Sequence, residues 1–70
     1  MMLELRRLWA IYWAVEGVQP DLYFDRDQAE IDATSYQIVP GRVEEVVAVV
    51  IDGKRALIVG QLGHALEVRS

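Results

Sequence analysis

Apolar and polar positions alternate from the start of the chain. Leu3, Leu5, Trp9, Ile11, Trp13 and Val15 share one parity, and Arg7 is the one polar residue among them. Glu4, Arg6, Leu8, Ala10, Tyr12, Ala14 and Glu16 share the other. A period of two predicts a strand with one buried face, and the aromatic and β-branched content of Trp9 to Val15 suits it. The same stretch also carries Leu5, Leu8, Trp9, Tyr12 and Val15 at helical spacing, with Gly17 placed as a C-terminal cap. A helix is therefore the alternative for residues 1–16.

Gly17 and Pro20 then mark a turn, and Leu22-Tyr23-Phe24 reads as a short strand returning on the first. Asp25 followed three residues later by Gln28 is a capping-box variant. It predicts a helix from about Arg26 to Ser35, with Asp27 in its first turn, where the helix dipole favours an anion. Ala29, Ala33 and Tyr36 form the inner stripe and Ile31 the flank, and Arg26 and Glu30 are spaced to pair at i,i+4. Tyr36 to Val39 is strand-like up to Pro40-Gly41.

Val43 to Ile51 is the strongest strand signal, apolar on both faces and so expected at the centre of a sheet or at an interface. Asp52-Gly53 is a two-residue hairpin signal. It predicts Ile51 opposite Lys54, Val49 opposite Ala56 and Val47 opposite Ile58. His64 to Arg69 reads as a last short strand or a frayed tail. The expected fold is a single α+β domain over residues 1–70, in the order β-β-α-β-β-β. It is a small antiparallel sheet of four to five strands with one short helix packed on one face.

Composition narrows the function more than it names it. At 70 residues and 8.0 kDa the chain is expected to be too short for a Rossmann domain, a barrel or a cleft between two domains. It has no cysteine, which removes disulfide frameworks, thiolate metal sites and thiol catalysis. A net charge of −4 argues against direct nucleic-acid binding by phosphate neutralisation. The apolar run Leu8 to Val15 lacks a small-residue cleavage pattern and is far shorter than the ~20 residues of a membrane span. The expectation is a mature, soluble, cytoplasmic protein.

Candidate chemistry is sparse. His64 is the one histidine, and no motif ties it to a nucleophile or an orienting acid. Asp25, Asp27, Glu30 and Asp32 cluster, but Ala29 and Glu30 stand where a calcium loop needs an Asp or Asn and a glycine. Glu44 and Glu45 are adjacent on a strand and point to opposite faces, so they cannot act together on one substrate. Gly53-Lys54 and Gly60-x-x-Gly63 do not match a phosphate loop. No catalytic residue, metal site or cofactor is expected, and the protein reads as a non-enzyme.

Two features remain. Residues 16–32 hold six carboxylates against Arg26 alone, a net charge of −5, and the rest of the chain is +1. The chain is also rich in aromatic and β-branched residues for one ten-residue helix to cover. An acidic face at Asp21, Asp25, Asp27, Glu30 and Asp32, with Tyr12 and Trp13 beside it, together with the aromatic and apolar sheet face that the helix leaves uncovered, is the expected partner-binding surface. The partner would be a host protein or nucleoprotein complex. The alternative is a structural or assembly homo-oligomer, a homodimer in its simplest form, built on the Val-rich sheet.

The segments Trp9-Ala10-Ile11-Tyr12, Glu16-Gly17, Leu22 to Glu30 and Tyr36-Gln37-Ile38-Val39-Pro40 together resemble small uncharacterised proteins of bacteriophages and mobile elements. In size, acidity and want of active-site motifs the chain is also similar to anti-CRISPR proteins. That similarity implies a phage-encoded inhibitor that binds a bacterial defence complex, and it transfers no residue.

Overall fold

The computed structural model describes residues 1–35, 41–61 and 63–69. Five strands and one helix follow the expected order: β1 (Leu3–Trp13), β2 (Asp21–Tyr23), α1 (Arg26–Ser35), β3 (Gly41–Ile51), β4 (Arg55–Ile58) and β5 (Leu66–Arg69). The protein is thus a small α+β fold, and residues 3–13 are strand rather than helix. The strand expected over Tyr36 to Val39 lies outside the described residues.

The sheet closes into a barrel, against the expectation that so short a chain could not form one; five strands with alanines lining a narrow bore need few residues. Its strands run β1-β2-β5-β4-β3, and β3 pairs back on β1 along eleven residues, from Leu3 opposite Ile51 to Trp13 opposite Gly41. All pairings are antiparallel except β2 with β5, where Leu22 lies beside Val68. A five-stranded barrel has a narrow bore, so small residues must share it with large ones. Ala10, Ala48 and Ala56 are fully buried there, and Leu8, Leu22, Val50, Ile58 and Val68 fill the remaining space.

The inward face of β1 is the parity of Leu8 and Ala10, opposite to the parity the alternation pointed to. The other parity divides. Trp9, Ile11 and Trp13 pack beneath α1 in a second core with Tyr23, Ala29 and Ala33. Leu3 and Leu5 carry no such cover and are 56% and 67% exposed. The sequence pattern marked a face that is apolar for two different reasons, and neither is the barrel interior.

The β3–β4 hairpin departs from the expected register by one residue. Asp52 and Gly53 do take positive φ angles, 51° and 70°, as a tight hairpin turn of this type demands. Lys54 then bulges, its carbonyl accepting from Val68 N at 2.9 Å, so that Ile51 faces Arg55, Val50 faces Ala56 and Ala48 faces Ile58. Burial sets this register. A one-residue slip would set Ala56 and Ile58, which line the bore, opposite the outward-facing Val49 and Val47.

The helix starts as a capped helix but without the reciprocal box. Asp25 Oδ1 accepts from Asp27 N at 3.3 Å. Gln28 does not reach back to the cap; its amide donates to Asp32 Oδ1 at 3.0 Å. Ala29 and Ala33 form the buried stripe, and their small size lets the helix sit close on β1 and β3. Gly41 makes room for the β1 side chains of the second core, because a Cβ there would lie 2.6 Å from Ile11 Cγ2 and 2.8 Å from Trp13 Cζ3. Tyr36, the third residue of the expected stripe, lies outside the described residues.

Candidate protein-docking surface

The helix covers only half of the barrel's outer wall. Cross-strand pairing sets the outward residues of β1, β3 and β4 in rows: Leu3, Ile51 and Arg55; then Leu5, Val49 and Leu57; then Arg7 and Val47, with Val59 alongside. Val59 N donates to Val47 O at 2.9 Å, which extends the third row one residue past β4. The next row, Trp9 and Glu45, begins the region beneath α1.

The bare half is aliphatic. Leu3, Leu5, Val47, Leu57 and Val59 are 56%, 67%, 46%, 38% and 57% exposed, and Val49 and Ile51 are half-buried between them. These five exposures amount to about 400 Å² of aliphatic surface, within the ~300–600 Å² of the largest patch on a typical monomer. Its charged members are Arg7 and Glu45, 3.6 Å apart at one end, and Arg55 at the other, where Glu67 of β5 pairs beside it.

The acidic segment does not present one uniform face. Asp21 Oδ2 accepts from the Trp13 indole at 2.8 Å, and its other oxygen lies 3.6 Å from Arg69. Asp32 accepts from the Tyr23 hydroxyl at 2.6 Å and from Gln28 at 3.0 Å. These two carboxylates fasten the fold together. Burial, and then the hydrogen bond to Asp32, push the Tyr23 hydroxyl up to about 12. Asp25 caps the helix, and Glu30 lies 3.3 Å from Arg26 on the exposed helix surface, at the spacing the sequence predicted. Asp25, Asp27 and Glu30 are exposed. Tyr12 lies beneath Arg42, whose guanidinium carbon is 5.7 Å from the ring centroid, and its hydroxyl accepts from Gln61 at 3.0 Å. Trp13 is half-buried against α1.

The remaining candidates stay apart. Glu44 and Glu45 point to opposite faces, each near an arginine, Arg42 at 3.1 Å and Arg7 at 3.6 Å. His64 is exposed, in a shallow depression with Pro20, Gln61 and Leu66. Among the described residues no group of His, Asp and Glu is arranged to hold a metal ion, and no helix is long and apolar enough to cross a membrane. Comparison with protein-family models, curated proteins and solved structures finds no match to this chain.

The sequence predicts an uncovered apolar sheet face without saying which residues form it. The signal was present in the odd parity common to Leu3, Leu5, Val47, Val49, Ile51, Leu57 and Val59. Reading it required the true hairpin register, which brings Leu57 rather than Ala56 beside Val49.

Proposed function

We propose that the protein is a non-enzymatic protein-binding module that docks through the bare half of its barrel wall. The observation that carries this reading is the contiguous aliphatic area of β1, β3 and β4. Leaving it in water is costly, at roughly 25 cal/mol per Å². Exposed patches of this kind mark interaction sites. The exposed carboxylates of the helix, Asp27 and Glu30, supply a charged flank that steers association, while the wall supplies the affinity. Action as an inhibitor of a host nucleoprotein complex is one use of such a module, and it rests on the likeness in size and acidity.

The test is capture of partners from nuclease-treated bacterial lysate by the tagged protein. A stoichiometric partner retained by the wild type and by Ile31→Lys, but lost by Leu5→Lys, is the expected result. Asp27→Lys with Glu30→Lys should slow association and reduce its salt dependence. Equal capture by wild type and Leu5→Lys would remove the wall from the mechanism.

A further inference from the structure

We infer that the occupant of the bare wall is a second copy of this chain, packed face to face about a two-fold axis. This deepens the docking reading above and rests on it. The area is the first argument. One wall offers about 400 Å² of aliphatic surface, and with Val49, Ile51, Arg7 and Arg55 of the same rows two copies bury about 1,000 Å², the lower bound for a specific interface.

Charge is the second argument. The acidic excess sits in residues 16–32, at −5, on the turn, β2 and α1. The wall itself bears Arg7, Glu45 and Arg55, and Glu67 of β5 pairs beside Arg55, so its charges cancel. Two molecules that each carry −4 repel through most approaches. This face is one on which they meet without adding like negative charge.

Composition is the third. Leucine and valine rows match a copy of themselves, as a two-fold interface requires, since the same patch serves both sides. Sheets packed this way lie ~10 Å apart with their strands within about 30° of each other. With the axis across the strands at the row of Leu5, Val49 and Leu57, the row of Val47 covers the row of Ile51 in the other copy. Glu45 then does not face its own counterpart.

Sedimentation equilibrium of the full chain from about 5 to about 500 µM tests this, because an interface at the small end of the specific range is expected to be weak. The expected result is a mass rising from 8.0 kDa towards twice that value. Leu5→Lys and Val47→Lys each place a charge in the centre of the interface and should weaken dimerisation about 100-fold or more. Both sites are solvent-exposed in the single chain, so the variants keep the wild-type circular dichroism. Ile31→Lys, on the helix, leaves the mass curve unchanged.

A constant mass of 8.0 kDa across the range overturns the inference, as does a dimer indifferent to both wall substitutions. A constant mass together with a lysate partner lost by Leu5→Lys leaves the docking wall standing with a different occupant. A constant mass with no such partner overturns both.

Discussion

The hydroxyl of Tyr23 offers the sharpest test of how the helix is fastened to the barrel. Its ring is 2% exposed, and its oxygen donates to Asp32 Oδ2 at 2.6 Å. Tyr23→Phe keeps the ring and removes the donor. A hydrogen bond to a charged acceptor is worth about 1.5–3 kcal/mol. Asp32 keeps its bond from Gln28, so the carboxylate is not orphaned and the loss falls at the low end, about 1.5–2 kcal/mol. In a domain of this size that corresponds to a fall of about 10 °C in Tm.

Thermal and urea unfolding of Tyr23→Phe, Asp32→Ala and the double variant form a cycle that isolates the pair. The expected coupling is about 1.5 kcal/mol, and a coupling below about 0.3 kcal/mol would refute the reasoning. A second readout comes from alkali. The folded protein holds the Tyr23 proton to about 12, against 10.0 for a free tyrosine. The folded state thus favours the protonated phenol. Its stabilising contribution is complete below pH 10 and is lost as pH rises towards 12. Stability of the wild type should fall more steeply over that window than stability of Tyr23→Phe.

Three further outcomes follow from the packing. Gly41→Ala drives a Cβ to 2.6 Å from Ile11 Cγ2, and overpacking of this kind should cost about 1–3 kcal/mol in urea unfolding. Asp25→Ala removes the acceptor for Asp27 N and should cost about 1 kcal/mol, with Asp25→Asn restoring most of it. Ala56→Leu puts three extra carbons into a fully buried site and should lower Tm by several degrees, whereas Ile31→Ala on the exposed helix surface should change it little.

Much of the architecture is legible in the residues. The described elements lie within a few residues of where alternation, capping and turn chemistry set them, because each is decided within about ten neighbours, but only the fold decides strand over helix for β1 and strand over frayed tail for β5. Closure of the sheet is not local. It follows from β1 meeting β3 along its full length and from three alanines narrowing the bore, and neither shows in a periodicity. The hairpin register turned on Lys54, which a two-residue turn pairs but which here bonds to Val68 of β5. The candidate site was half visible. Charge counting found the acidic segment, yet Asp21 and Asp32 are committed to Trp13 and Tyr23, partners that only the folded chain brings near. The aliphatic wall was hidden in plain valines and leucines, whose destination depends on which face the barrel turns inward.

The long β1–β3 seam also sets the order of events in folding. Its closest partners, Trp13 and Gly41, are 28 residues apart in the chain, and its farthest, Leu3 and Ile51, are 48 apart. Loops of that length must close before any seam bond forms, and such non-local pairing slows folding. The β3–β4 hairpin, joined by a three-residue turn, can form first. Until β1 arrives, the valines of β3 stand as an unpaired strand prone to pair with other chains. Glu44 and Glu45 then guard that strand at the moment of its greatest exposure, before Arg42 and Arg7 settle beside them.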